Sequence, residues 1–173
     1  MSKWECYHCG HMVEEEKSPE ECPNCHASLT FWLEASGGLA EDVKNLLSKI
    51  PIFFGIDGKS LGDVARAFRE ITFAGGDTLV KEGEQSVSFS ILTEGKADVV
   101  IGGNVIATLQ PYQFFGELAA LGLRRERSAD VVANGTCKCL VAVQPEFQRI
   151  LSSHPSVASH ILSEIRNRYQ PKS

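Results

Sequence analysis

The chain has 173 residues, enough for one ordinary domain and a small appendage but not for two domains with separate cores. Hydrophobic residues make up 43% and charged residues 23%, a globular balance that excludes a fibrous or disordered chain. The net charge of −5 offers no footprint for nucleic acid or an anionic membrane.

The first 35 residues stand apart. They are poor in aliphatic side chains, dense in Cys, His and Glu, and hold two of the 17 basic and seven of the 22 acidic residues. Fifteen of each sign remain downstream and cancel, so all the net negative charge lies on this segment. Met1-Ser2-Lys3-Trp4-Glu5-Cys6 has no apolar signal core, and no apolar run approaches the ~20 residues of a membrane span, so a cytoplasmic protein is expected. In that reducing compartment the six cysteines are thiols or metal ligands rather than disulfides. Cys6-x2-Cys9 and Cys22-x2-Cys25 are two chelating turns, and together they make a tetrahedral S4 site suited to Zn2+ or a single Fe. A segment this short buries too little apolar surface to fold alone, so the metal supplies its folding energy. Four thiolates complete a tetrahedron, which leaves His8, His11 and His26 as surface residues.

Gly37-Gly38 follows as a flexible joint, giving expected units of 1–35, 36–38 and 39–173. Leu39, Val43, Leu46, Leu47 and Ile50 recur on one helix face until Pro51 stops it, and Leu61, Val64, Ala65 and Phe68 mark a second short helix. The period then becomes two. Val87, Phe89 and Ile91 alternate with Ser86, Ser88 and Ser90, which predicts a half-buried strand. Val99 to Ala107 around Gly102-Gly103 predicts a hairpin. Glycines at 75, 76, 83, 95, 102, 103 and 116 read as turns between short strands, and 131–133 and 139–143 as the last two strands. Cys137 and Cys139 share a strand face and read as small buried residues. Helices beginning near Pro145 and Pro155 close the chain. The whole is expected to be mainly β, an antiparallel roll with flanking helices and a small metal knuckle.

Within the roll, Phe114-Phe115-Gly116-Glu117-Leu118-Ala119-Ala120 puts a glycine and small residues between a strand and a helical turn, a bare backbone that an anion can approach. Arg127 offers a fork of donors to phosphate. Glu117 repels phosphate and suits a sugar hydroxyl. Together these describe a nucleotide pocket with no Walker-type loop, and no enzyme is expected.

Two resemblances follow from these motifs. Trp4-x-Cys6-x2-Cys9-Gly10 with Pro19-x2-Cys22-Pro23-x-Cys25 resembles the rubredoxin-like domain found at one end of rubrerythrins, with His26 where a glycine usually follows and Met12 where an aromatic is common. It implies one iron that cycles between ferrous and ferric states; zinc stays open. Residues from about 39 to 169, with Gly116-Glu117-Leu118-Ala119 and Arg127-Ser128-Ala129 ten positions on, resemble cyclic nucleotide-binding domains of the catabolite activator type. That resemblance implies cAMP or cGMP as ligand, with Glu117 on the ribose 2′-hydroxyl, Arg127 on the cyclic phosphate, Gly116, Leu118 and Ala119 shaping the cradle, and Ser128 adding a hydroxyl beside Ala129. It also implies a homodimer or a protein partner through the C-terminal helix. Arg168 then lies near the base, or else belongs with Arg166 and Asn167 to a solvated helix end that suits the dipole. The expected function is a cyclic nucleotide sensor that modulates an Fe or Zn module or its docking. The alternatives are a one-electron carrier with the roll as scaffold, and a degenerate roll acting as an interaction module.

Overall fold

The computed structural model describes residues 1–6, 11–17, 19–24, 26, 32–34, 40–85, 88–124 and 126–169. The Gly37-Gly38 joint, Leu39, Ser86, Val87, His8, Cys9 and Cys25 lie outside the described residues.

The N-terminal segment forms a three-stranded sheet of order β2-β1-β3, from β1 (Ser2–Cys6), β2 (Met12–Glu15) and β3 (Trp32–Glu34). Both pairings are antiparallel, with Trp4 opposite Val13 on one side and Glu34 on the other. The Cys6 N–H donates to the His11 carbonyl at 2.8 Å, which closes the β1–β2 turn at the first cysteine pair.

Two short helices follow, α1 (Ala40–Leu47) and α2 (Gly58–Ala65), with a 3-10 turn at Pro51–Phe53 between them. Proline at the first position of that turn loses no hydrogen bond, because that N–H has no intrahelical partner in any case. Asp57 caps α2: its carboxylate accepts from the Ser60 N–H at 3.0 Å and the Ser60 hydroxyl at 2.7 Å. Those two hydrogen bonds hold its pKa below the ordinary carboxylate value. The helix ends at Ala65, so Phe68 packs from the following turn rather than from the helix.

The roll contains β4 (Arg69–Phe73), β5 (Thr78–Val80), β6 (Ser88–Ile101), β7 (Asn104–Leu109), β8 (Phe114–Phe115) and β9 (Asp130–Val143), with α3 (Glu117–Ala120) after β8. The main path runs β4-β9-β6-β7, β5 pairs with β9 and β8 with β6, all antiparallel. The β6–β7 hairpin turns on Gly102 and Gly103, both left-handed, as a two-residue hairpin requires. Helices α4 (Gln144–Ser153) and α5 (Pro155–Tyr169) close the chain.

Three expectations are corrected. Residues 131–133 and 139–143 belong to one 14-residue strand, β9, not two. Gly95 lies inside β6, not in a turn: the β6–β9 register shifts between Glu94 and Lys96, and the φ of Gly95 is +79°. A methyl group there would sit 2.5 Å from the Thr136 carbonyl and 2.9 Å from the Cys137 Cβ, so glycine lets the two backbones meet. We expect Gly95→Ala to cost about 3 kcal/mol, from left-handed strain and overpacking, measured by denaturant unfolding. The third correction concerns 88–93, which is buried on both faces. Phe89 and Ile91 enter one core with α1, α2, α4 and α5, while Leu92 enters a second core inside the roll. Ser88 and Ser90 point with Leu92, so the polar half of the alternation faces the roll interior rather than water.

Candidate functional site

Strand β9 alternates Leu140 and Ala142 into the helical core with Cys139 and Val141 into the roll core, and β8 divides the same way, Phe114 into the first and Phe115 into the second. The Phe114 ring lies 5.5 Å from Phe89, which stacks on Phe147 at 4.1 Å. Two large side chains on opposite faces thus pin β8, and with it the segment that follows.

That segment begins with Gly116 at φ +81°. A methyl group at this position would stand 2.7 Å from the Ser88 carbonyl and collide with the Arg127 guanidinium. The bare backbone lets Arg127 lie against it. Arg127 is 5% exposed, and its Nη2 donates to the Ser88 carbonyl at 2.8 Å and the Ser88 hydroxyl at 2.9 Å. Its own backbone is held as well: its N–H donates to the Glu84 carbonyl and its carbonyl accepts from the Gly83 N–H, both at 3.0 Å.

Glu117 opens α3 and is 3% exposed. Arg168, from the last turn of α5, brings Nη1 to 3.6 Å from Glu117 Oε1. The same Nη1 donates to the Phe114 carbonyl at 2.7 Å, and the guanidinium lies 4.4 Å above the Phe114 ring. Leu118 accepts at its carbonyl from the Leu123 and Arg124 N–H groups, which folds the loop back over α3.

These residues surround one cavity of about 110 Å³. Gly116, Glu117, Leu118, Arg127, Ser128 and Ala129 all line it; Ala119 lies in α3. Val80, Val99, Leu109 and Val131 supply an apolar wall, and Arg124, Glu126 and Arg168 complete the rim. Arg168 reaches the site from the exposed end of α5. A signal for this was in the sequence: Ile161, Ile165 and Arg168 are spaced as one helix face, so the arginine falls on the side that Ile161 turns to the core. Arg124 had no such signal, because only the loop closure on Leu118 brings it in.

At the N-terminal segment, Cys6 and Cys22 are fully buried, and they are the two of the four cysteines among the described residues. The His26 N–H donates to the Cys22 carbonyl at 3.0 Å, closing the second turn. His26 has φ +54°, so the backbone keeps the left-handed shape that a glycine takes without strain. Buried thiols at the head of two closed turns fit a soft metal ion. Replacing His26 with Gly should stabilise this segment by about 1 kcal/mol, read as slower metal loss to a chelator. The exposed His26–Glu21 contact at 3.1 Å offsets little of that gain.

Cys137 and Cys139 are buried in the roll core. The side-chain hydrogen bond between them lowers the Cys137 pKa and pushes the Cys139 thiol far up, where burial adds to the effect. They are packing residues, as their spacing predicts.

Comparison with known proteins agrees with both segments. Residues 70–154 match the family model of the cyclic nucleotide-binding domain, and residues 4–30 match that of the rubredoxin-like domain of rubrerythrin. The human cyclic nucleotide-gated channel beta-1 is 30% identical over 123 residues, 68% of this chain and 10% of the channel, so the chain spans about a tenth of that relative's length. The regulatory domain of Toxoplasma gondii PKA, solved with cAMP, superposes with a TM-score of 0.65 at 28% identity, over 75% of this chain and 50% of that one. Thermus thermophilus catabolite activator protein shares the fold, with a TM-score of 0.62 at 23% identity over 68% of this chain and 57% of that one. The chain carries a cyclic nucleotide-binding domain at residues 70–154 and a rubredoxin-like domain at residues 4–30.

Proposed function

We propose that the cavity lined by Glu117 and Arg127 binds cAMP or cGMP and that the protein is a regulatory sensor rather than an enzyme. The observation that carries this reading is the burial of Glu117 and Arg127 on the wall of one cavity. Protein partners hold both in place on that wall, Arg168 beside Glu117 and Ser88 beside Arg127. Arg127 pairs with the cyclic phosphate and Glu117 accepts from the ribose 2′-hydroxyl. Gly116, Leu118 and Ala119 form the cradle, Ser128 beside Ala129 adds a hydroxyl, and the valine and leucine wall takes the base. Three arginines and two glutamates line the cavity, leaving one positive charge, which complements a singly charged cyclic phosphodiester better than a dianionic 5′-phosphate.

Arg168 joins Glu117 to α5, so a ligand that engages Glu117 acts on the position of that helix. Leu162 of α5 is exposed, and we place a docking or dimer surface there. Cys6, Cys9, Cys22 and Cys25 hold one Fe or Zn in the 1–35 unit, joined through 36–38 to the sensor over 39–173. The metal would supply folding energy to that unit and, as iron, one-electron chemistry. The nucleotide then modulates this module or its docking to a partner. No helix among the described residues is long and apolar enough to cross a membrane.

Calorimetric titration with cAMP and with cGMP tests the sensor reading. A one-to-one isotherm with at least one of them, and weaker binding of the corresponding 5′-monophosphate, is expected. Absence of heat from both cyclic nucleotides would refute it.

A further inference from the structure

We propose that the Ser88 hydroxyl is the positioning group for Arg127, and that it sets how strongly the cavity prefers a charged cyclic phosphodiester to a neutral one. This role rests on the cyclic nucleotide reading above. Arg127 lines the cavity and Ser88 does not, so Ser88 acts only through the guanidinium.

Ser88 opens β6 and is fully buried, with Val143 of β9 as its register partner. Both of its acceptors serve one nitrogen: Arg127 Nη2 donates to the Ser88 carbonyl at 2.8 Å and to the Ser88 hydroxyl at 2.9 Å. The carbonyl belongs to the backbone, and any residue at this position would offer it. The hydroxyl is what serine adds. Both N–H bonds of Nη2 lie in the guanidinium plane, so two acceptors fix that plane where one leaves it free to swing.

Gly116 sets the other end of the fork. A Cβ there would collide with Arg127 Nη1 and stand 2.7 Å from the Ser88 carbonyl. Nη2 is therefore turned to Ser88, while Nη1 lies over the glycine that opens the cradle. The Arg127 backbone is already held by Gly83 and Glu84. What remains to be ordered is the long side chain, and ordering it before the ligand arrives removes that entropy from the cost of binding. A hydroxyl does this without adding charge. A carboxylate at position 88 would set an anion beside the phosphate and repel it.

The test is calorimetric titration of the full chain, wild type and Ser88→Ala, with cAMP and with the methyl ester of its cyclic phosphate, which is neutral. Ser88→Ala should weaken cAMP about tenfold, the low end for one hydrogen bond to a charged group, and leave the ester within about twofold. A merely structural role would weaken both ligands alike. Nitrogen-resolved NMR of the arginine side chains, without ligand, is the second measurement. Separate Nη1 and Nη2 signals are expected for Arg127 in the wild type, merging in Ser88→Ala as rotation of the guanidinium quickens. Absence of cAMP binding to the wild type would overturn the sensor reading and this role together. Wild-type binding with the same preference for cAMP over the ester in Ser88→Ala would overturn this role alone, as would Arg127 signals that the substitution does not change.

Discussion

Arg127→Ala is expected to weaken cyclic nucleotide binding by about 100-fold or more. Two charge-assisted hydrogen bonds to the phosphate are worth about 1.5–3 kcal/mol each, and about 3 kcal/mol in total corresponds to a factor above 100. Arg127→Lys keeps the charge but not the fork, since one ammonium cannot hold Ser88 and a phosphate in the same plane. Its affinity should fall between the two. The alanine variant also strips the Ser88 carbonyl of a buried donor, so the roll should lose about 2 kcal/mol of stability. Titration at a temperature well below the melting transition separates the two effects. Wild-type affinity in a folded Arg127→Ala protein would remove the guanidinium from the phosphate site.

Removal of the metal, by chelator or by Cys22→Ser, is expected to unfold residues 1–34 and leave the roll intact. A structural zinc in a finger-sized unit contributes about 10–16 kcal/mol of apparent binding energy, more than a three-stranded sheet of this size could supply from burial. Among the described residues, the two cores of the roll draw none from the first 34, so the melting temperature of the sensor should not move. Native mass spectrometry would report the loss of one metal mass, and limited proteolysis would cut only the N-terminal segment. Proteolysis there at the same rate with and without metal would show that the thiols are not ligands. If the two modules are coupled as proposed, the metal-free protein also binds nucleotide with altered affinity, because coupling between two sites is reciprocal.

What could be read in the chain was what neighbouring residues decide among themselves. The C-x2-C spacings place two thiols at the head of one turn whatever surrounds them, and both Cys6 and Cys22 are buried where those turns close. Gly102-Gly103 sets the hairpin, and Gly116-Glu117 marks the passage from strand to helix, because each depends on local backbone freedom; α1 ends at Leu47, ahead of Pro51, which opens the 3-10 turn. A period of two predicts a strand but not what packs on each side of it. Ser88 and Ser90 therefore looked solvent-facing, until the roll closed over them and supplied Arg127 as a partner for Ser88. Gly95 looked like a turn because a left-handed glycine inside a strand serves only the opposing strand, more than 40 positions away. The joining of 131–133 to 139–143 likewise rests on the long partner β6. Arg168 meets Phe114 across 54 positions and brings a second charge to Glu117. Such contacts form only when helices and strands pack, which local propensity and spacing do not encode. The sequence alone determined the types of chemistry present; the folded chain decided which of those groups share a cavity.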